Sequence, residues 1–152
     1  MKIRKAIISD LEQIAALCSE QFDVMANLQP YLNQKGQQSK EFIVNIITEE
    51  QSEIFIVEDM DKIVGFVSVF EKKTSEFSFR VQHNYCYIMD IIVTEKYRGE
   101  GIATELMKKT REWSIDRNLE YIELSVLANN PAVKFYEKEM FEETVRTMIC
   151  RL

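Results

Sequence analysis

The sequence predicts an α/β fold in a single domain (residues 1–152), with a mixed, mostly antiparallel sheet around a central parallel strand–helix–strand unit. Three observations favour this fold class. A chain of 152 residues has the length of one ordinary domain. Segments with strand and helix periodicity follow one another without a linker or a repeat. A nearly all-apolar strand is followed by an amphipathic helix and another strand, which is the pattern of a parallel crossover.

The first half of the chain predicts a strand, two helices and a β-hairpin. Ser9 and Glu12 have the spacing of a capping box, so we expect the first helix to begin there. The apolar runs on either side of a short polar turn are typical of a hairpin. The predicted elements are a strand at 2–8, a helix from Ser9, a loop at 27–40, a helix from Ser39, and strands at 54–57 and 63–70.

The second half predicts the parallel unit and a closing strand. Val145, Thr147 and Ile149 alternate with polar residues, which favours a final strand. Residues 71–84 are polar and stay unassigned. The predicted elements are a strand at 85–93, a helix from Ile102, a strand at 121–127, a short helix at 131–139 and a strand at 142–152.

The composition excludes several classes of protein. A net charge of −6 disfavours a nucleic-acid-binding protein, which would present a basic surface. No apolar run approaches the ~18 residues of a membrane span. The N-terminus lacks a signal-peptide pattern, so we expect a cytoplasmic protein. Cys18, Cys86 and Cys150 are far apart and His83 is the only histidine, so we expect free thiols and no metal site.

Residues 91–106, IIVTEKYRGEGIATEL, predict an anion-binding loop. Gly99 and Gly101 allow backbone N–H groups to converge on an anion, and the following helix N-terminus adds free donors. Arg98 supplies a permanent cation suited to phosphate. Thr104 stands where a dinucleotide fingerprint requires a third glycine. The more specific interpretation of this loop is a diphosphate-binding site, and the alternative is an ordinary surface turn between a strand and a helix.

Four segments of the sequence resemble the GNAT superfamily of acyl-CoA-dependent N-acyltransferases. The segment from Arg98 to Ala103 is similar to its pyrophosphate motif, [Q/R]-x-x-G-x-[G/A]. The segment at 129–138, NNPAVKFYEK, resembles the family pattern N-x-x-A-x-x-[FLY]-Y-x-K. Residues 3–11 and 63–66 are similar to the first strand and helix and to the third strand of the family. The resemblance therefore covers essentially the whole chain.

The resemblance implies acetyl-CoA as the cofactor and a set of residues that would bind it. The backbone of the strand before the loop would pair with the pantetheine arm, and the loop would wrap the pyrophosphate. Asn129 matches the position that hydrogen-bonds the pantetheine, with Asn130 as its substitute if the register differs by one. The implied cofactor-binding residues are Ile91, Ile92, Val93, Arg98, Gly99, Glu100, Gly101, Ile102, Ala103, Thr104 and Asn129.

The resemblance also implies catalytic roles. Tyr136 matches the tyrosine that protonates the departing thiolate of coenzyme A. Met89 stands where many relatives have a glutamate base, and Asp90 next to it should face the opposite side of the strand from Tyr87. Three solutions stay open: Asp90 acts through a bulge or a water molecule, Tyr87 or His83 relays the proton, or no dedicated base exists.

The main functional hypothesis is direct transfer of an acetyl group to a primary amine of a small molecule or peptide. The N–H of Ile91 or Ile92 would steady the carbonyl oxygen, and the loops at 27–40 and 71–84 would select the acceptor. A non-catalytic acyl-CoA-binding module is the alternative. A nicotinamide-dinucleotide fold is a weaker alternative: Glu120 follows Gly99 by about 20 residues, as that fingerprint requires, but Thr104 and the mixed order of the sheet speak against it.

Two further expectations come from the resemblance. Relatives are often dimers, so a homodimer is expected. Relatives usually carry a glycine where Met140 stands, so either the helix ends differently here or a left-handed helix end at this residue costs of order 1 kcal/mol.

Overall fold

The computed structural model describes residues 1–152 and contains five strands and four α-helices. Short 3₁₀ turns precede the first helix (Ile8–Asp10) and follow the fourth strand (Glu95–Tyr97). In chain order the elements are β1 (Lys2–Lys5), α1 (Leu11–Leu28), α2 (Lys40–Thr48), β2 (Ser52–Asp59), β3 (Lys62–Lys73), β4 (Asn84–Val93), α3 (Ile102–Asp116), β5 (Ile122–Leu124) and α4 (Val133–Lys138).

The five strands form one sheet in the order β1-β2-β3-β4-β5. Neighbours from β1 to β4 are antiparallel, and β4 pairs in parallel with β5 through the crossover helix α3. The predicted α/β class and mixed sheet are therefore confirmed. Met60 and Asp61 have φ angles of 46° and 63°, so a tight turn with two left-handed residues closes the predicted β2–β3 hairpin.

Helices cover both faces of the sheet. Helices α1 and α2 pack on one face around Ile56, Phe66 and Ile92, and α3 packs on the other around Val67 and Leu106. Burial on both faces explains why residues 63–70 of β3 and most of β4 are apolar. No helix in the structure combines the length and the apolar character that crossing a membrane requires.

The first helix begins differently from the prediction. Asp10, rather than Ser9, is the residue before α1, and a 3₁₀ turn occupies the preceding positions. The Asp10 carboxylate accepts the Ile7 N–H at 2.8 Å and the Arg4 guanidinium at 2.7 Å. Arg4 holds the pKa of Asp10 below its usual range. The Ser9–Glu12 capping box is thus wrong, because an ion pair from β1 fixes this helix start.

The second helix begins where the sequence predicts. The Ser39 hydroxyl accepts the Phe42 N–H at 3.3 Å, and this bond satisfies one of the free donors of the first turn. The loop at 29–39 precedes it and lies within the predicted loop.

The predicted closing strand is wrong. Residues 142–152 form no strand and take part in no backbone–backbone hydrogen bond. The predicted strand at 121–127 is reduced to the three residues of β5. The alternating pattern of the last segment therefore has no partner within the chain, and β5 is left as an edge of the sheet.

Met140 ends α4 in the left-handed conformation, with a φ angle of 67°, as its replacement of a glycine suggests. The Phe141 N–H donates back to the Tyr136 carbonyl oxygen at 3.0 Å, which closes the helix end. We expect Met140→Gly to raise the free energy of unfolding by about 1 kcal/mol in urea denaturation, since glycine adopts this conformation without strain. Asn118→Gly at φ 56° is the control and should gain less, because asparagine tolerates this region. An equal gain at both sites would contradict the explanation.

Candidate functional site

Strand β4 pairs with β5 only along the first half of its length. The second half of the β4 edge that faces β5 is therefore unpaired. The parallel pairing joins residues 86–88 to residues 122–124 and stops there. Beyond Ile88, β4 continues to Val93 with a partner on its β3 side alone. A cleft therefore opens between the two strands toward their carboxyl ends.

The open edge of β4 presents the backbone of Ile91 and Val93. The Ile92 carbonyl oxygen lies against Gly65 of β3, and the Thr94 N–H donates to β3 at 2.9 Å. Successive residues of a strand direct their backbone groups to opposite edges. Ile91 and Val93 therefore direct theirs into the cleft, whereas those of Ile92 bond within the sheet.

A β-bulge at Met89 changes the face on which Asp90 lies. Asp90 opposes Ser68 of β3, and the next residue of β3 already opposes Ile88, so Met89 has no partner. Ile88 packs on the α3 side of the sheet, yet Asp90 lies on the side of α1 and α2. Tyr87 also lies on that side, opposite a β3 residue that packs there. The prediction that Asp90 and Tyr87 lie on opposite faces of β4 is wrong. The extra residue of the bulge shifts the alternation of side chains between the two faces.

Asp90 lies in a polar cluster that the sequence did not reveal. Ser68 is buried, and its hydroxyl accepts the Asp90 N–H at 3.1 Å and lies 3.3 Å from the carboxylate. Burial raises the pKa of Asp90, and the Ser68 hydroxyl and the nearby Gln21 side chain act in the opposite direction. The Oε1 atom of Gln21 is itself buried without a hydrogen-bond partner.

A cavity of about 10 Å³ adjoins the carboxylate and is lined in part by Asp90, Ser68, Cys18 and Gln38. This volume is close to the space that one water molecule needs. Burial, together with the charge of Asp90, raises the pKa of the Cys18 thiol to about 12, so Cys18 is an inert neighbour and no nucleophile.

The loop between β4 and α3 presents six consecutive N–H groups, from Gly99 to Thr104, that donate to no protein acceptor. Gly99 and Gly101 have φ angles of 84° and 82°, and the space where a Cβ atom would stand is open at both. Positive-φ residues followed by a helix N-terminus form a concave arrangement of donors that attracts anions. The predicted loop thus has the backbone geometry of an anion-binding site.

The side chains of this loop differ in direction and burial. The Arg98 guanidinium donates to the Val93 carbonyl oxygen at 3.1 Å, which ties the loop to the open edge of β4. The Glu100 side chain is exposed and has no ion-pair partner. Ile102 is buried against the sheet and anchors the first turn of α3, Ala103 is half-buried and Thr104 is exposed.

Tyr136 lies in α4 among aromatic side chains. Its ring makes edge contacts with Phe135 and Phe141, with centroid distances of 5.5 and 5.9 Å. Burial raises the pKa of its phenol to about 12. The structure gives its hydroxyl no hydrogen-bond partner within the protein. The phenol therefore holds its proton at neutral pH and is free to donate it.

The two asparagines after β5 have separate roles. The Asn129 amide nitrogen donates to the Leu28 carbonyl oxygen at 2.7 Å and joins this turn to the end of α1. Its carbonyl oxygen is left free for a ligand. Asn130 accepts the Ala132 N–H at 2.9 Å and so shapes the start of α4. Asn129 is therefore the better candidate of the two for binding a cofactor.

His83 is separated from the cleft. It precedes β4, at the end of the strand opposite Val93, and its Nδ1 atom lies 3.0 Å from a Glu120 carboxylate oxygen. A role for His83 in relaying a proton to Asp90 is not supported by this position. Of the candidate bases, the structure brings Asp90 and Tyr87 to one face of β4.

Comparisons with known proteins agree on one family. The family model described as the acetyltransferase (GNAT) family matches residues 11–140. An uncharacterized N-acetyltransferase of Archaeoglobus fulgidus is 27% identical over 140 residues, which is 91% of each chain.

Solved structures show the same fold. A mutant of the BH1408 protein from Bacillus halodurans matches with a TM-score of 0.94 and 22% identity, over 100% of this chain and 99% of that one. An aminoglycoside N-acetyltransferase in complex with CoA matches with a TM-score of 0.73 and 17% identity, over 99% and 98% of the two chains.

Proposed function

The chain belongs to the GNAT acetyltransferase family, and on that premise we propose that it transfers an acetyl group from acetyl-CoA directly to a primary amine of a small molecule or peptide. The observation that carries the proposal is the run of free N–H groups from Gly99 to Thr104 beside the open edge of β4. Six donors without a protein acceptor suit the charge of a diphosphate.

The residues present fit coenzyme A. The N–H groups of the loop would hold the pyrophosphate, with the Arg98 guanidinium adding positive charge. The open edge of Ile91 and Val93 would pair with the amide groups of the pantetheine, and the free carbonyl oxygen of Asn129 would bind it from the other side of the cleft. When bound, the cofactor supplies an acetyl group activated as a thioester.

Ile91 is the proposed donor to the acetyl carbonyl oxygen. Its N–H points into the cleft next to the bulge, and the N–H of Ile92 is directed at β3. A fixed backbone donor needs no reorganisation when negative charge develops on an oxygen, and this is the basis of its catalytic value.

Asp90 is the proposed proton acceptor for the amine. Its carboxylate borders a cavity of about 10 Å³, so it would take the proton directly or through one water molecule. The raised pKa brings the carboxylate closer to neutral pH, where a base works best.

Tyr136 is the proposed proton donor to the sulfur of the leaving group. Its pKa of about 12 keeps the phenol protonated across the neutral range. A hydroxyl without a partner in the protein can turn toward a ligand without breaking a bond.

An assay of thiol release over a panel of primary amines, combined with calorimetry, tests the proposal. We expect acetyl-CoA to bind and at least one amine of the panel to release free thiol. The aminoglycoside N-acetyltransferase of the same fold supports including aminoglycosides with polyamines and peptides. Absence of acetyl-CoA binding at millimolar cofactor would contradict the proposal. Binding without thiol release would favour a non-catalytic module.

Substitution of Gly101 is expected to weaken acetyl-CoA binding. Gly101→Ala puts a Cβ atom on a residue with a φ angle of 82°, so the loop must relax and the N–H groups lose their common direction. We expect the Kd in calorimetry to rise about 10-fold, which is about 1.4 kcal/mol. Gly36→Ala is the control: its Cβ would lie 3.9 Å from Phe22, an ordinary contact, and its Kd should equal that of the wild type. An unchanged Kd in Gly101→Ala would remove this loop from the site.

A further inference from the structure

Helix α4, which carries Tyr136, is short and lies at the surface of the fold. It spans the six residues Val133–Lys138, and none of its side chains is fully buried. The chain after Phe141 forms no strand and no backbone–backbone hydrogen bond, so it adds no secondary structure that could hold the helix. The placement of α4 therefore depends on the contacts of its ends and on the packing of Phe135 and Tyr136 against the α3 side of the sheet.

Arg111 of α3 binds the C-terminal end of α4. Its Nη1 atom lies 2.7 Å from a Glu139 carboxylate oxygen, and its Nη2 atom donates to the Glu139 carbonyl oxygen at 2.7 Å. No backbone N–H donates to that carbonyl oxygen, as is usual at the end of a helix. A guanidinium holds two such acceptors in a fixed geometry, and its charge is favourable at a helix C-terminus. No other ion pair joins α4 or its ends to another element.

Helix α3 connects this contact to the anion-binding loop. The helix begins at Ile102, directly after Gly101, and Arg111 lies nine residues further along it. At the rise of an α-helix this separation is about 13.5 Å. The N–H groups proposed to hold the pyrophosphate and the side chain that holds α4 are therefore parts of one rigid element. The contact also lies within one turn of Tyr136, since the Glu139 N–H donates to the Phe135 carbonyl oxygen at 3.0 Å.

We propose that Arg111 is a positioning residue for the proton transfer: by holding Glu139, it fixes the Tyr136 hydroxyl relative to a cofactor bound at the other end of α3. This inference rests on the proposed function. In that step the O–H bond of the phenol breaks and an S–H bond forms on the departing thiolate, so the distance between oxygen and sulfur governs the rate. A displacement of about 1 Å is enough to slow such a step about 10²-fold.

A double-mutant cycle tests whether Arg111 acts through Tyr136. Arg111→Met removes the guanidinium and keeps most of the apolar length, and we expect kcat to fall about 10-fold or more. The Kd for acetyl-CoA should stay that of the wild type, because the loop at 99–104 is unchanged. In a Tyr136→Phe background, Arg111→Met should cause no further loss of kcat, since the hydroxyl through which it acts is gone. An equal loss in both backgrounds would overturn the proposal.

Two further variants separate the geometry of Arg111 from its charge. Lys109→Met removes a positive charge from the same helix, where Lys109 pairs with Glu112 at 2.7 Å, and it should have the kcat of the wild type. Arg111→Lys keeps the charge and cannot reach both oxygens of Glu139 in the same way, so it should recover only part of the activity. A loss in Lys109→Met as large as that in Arg111→Met would contradict a role of the contact with α4.

Titration of the Tyr136 phenol tests the placement without cofactor or acceptor. Its pKa is raised to about 12 by burial, so nuclear magnetic resonance of ¹³C-labelled tyrosine should show a neutral phenol at about pH 11. In Arg111→Met the helix is released, and the same signal, identified by its absence in Tyr136→Phe, should be mostly ionised. Loss of a positive charge alone would raise the pKa, so a fall reports the movement.

The outcomes of this titration distinguish the inference from the proposed function. A phenol that stays neutral in folded Arg111→Met, as judged by circular dichroism, would overturn the positioning role. An ionised phenol in Arg111→Met together with a wild-type kcat in Tyr136→Phe would show that Arg111 places the tyrosine and that the tyrosine is not the acid.

Discussion

Tyr136→Phe is expected to lower kcat by about 10²–10⁴-fold, the range typical of losing a general acid. The substitution removes only the hydroxyl, and the ring contacts with Phe135 and Phe141 stay. Because that hydroxyl has no partner in the protein, we expect the folded structure and the Kd for acetyl-CoA to be unchanged. Steady-state kinetics with the best amine of the panel, and calorimetry on the same sample, measure both quantities.

The control for this substitution is Tyr121→Phe, at the end of the sheet away from the cleft, where the ring stacks on Tyr85 at 4.8 Å. Its kcat should match that of the wild type. The raised pKa of Tyr136, about 12, also predicts no loss of activity from its ionisation between pH 7 and 9. A wild-type kcat in Tyr136→Phe would remove Tyr136 from the mechanism.

Asp90→Asn is expected to lower kcat by about 10²-fold or more at neutral pH, because the amide cannot accept the proton of the amine. The carboxamide has nearly the same shape, so the bond from the Asp90 N–H to Ser68 should persist. Asp23→Asn, on the exposed side of α1, is the control and should have wild-type activity. Wild-type turnover in Asp90→Asn would show that no carboxylate base is needed.

The pH dependence distinguishes a base from a structural carboxylate. Burial raises the pKa of Asp90, so wild-type kcat should rise with pH through that elevated value. Asp90→Asn should lack this rise. Ser68→Ala removes a hydrogen bond that lowers the same pKa, and we therefore expect the rise in kcat to move to higher pH. An unmoved profile in Ser68→Ala would mean that Ser68 does not act on this carboxylate.

The raised pKa of Asp90 also affects the stability of the folded protein. The folded-state pKa of Asp90 lies above its unfolded value, so the neutral carboxyl stabilises the fold at pH values below the unfolded pKa. This contribution is lost as the pH rises from the unfolded to the folded pKa. Asp90→Asn, which is always neutral, should therefore have a higher Tm than the wild type at pH 7 in thermal denaturation. A variant with lower activity and higher stability is expected where a charged group is buried at a cost to stability because the function requires it.

Much of the fold was predictable because local patterns determine it. The β2–β3 hairpin, the loop with Gly99 and Gly101, and the start of α2 at Ser39 all depend on residues close together in the chain. The start of α1 was not predictable in this way. The Ser9 capping box is a valid local solution, but the bond of Asp10 to Arg4 on β1 overrides it.

The anion-binding loop of the site could be predicted from the sequence, but the position of the candidate base, Asp90, could not. Alternation along β4 predicts that Asp90 faces away from Tyr87, and a bulge at Met89 reverses this. A bulge was one of the three solutions that the sequence left open, but it depends on the pairing of β4 with β3, and nothing in the sequence of β4 alone selects it. Ser68 and Gln21 were missed for the same reason, since they reach Asp90 from other elements.

The prediction of a closing strand at residues 142–152 is wrong for a different reason. The alternation of residues 142–152 is a genuine strand pattern, but a strand also needs a partner, and the chain provides none in place.

The most direct test of the central claim follows the six N–H groups of the loop by nuclear magnetic resonance. Titration of ¹⁵N-labelled protein with coenzyme A should shift the amide resonances of residues 99–104, because a charged phosphate would replace water as their hydrogen-bond acceptor. The Gly36 amide, in the loop before α2, serves as the internal reference for general effects. Large shifts confined to the loop and the open edge of β4 are the predicted result. Unshifted loop amides at saturating coenzyme A would contradict the account.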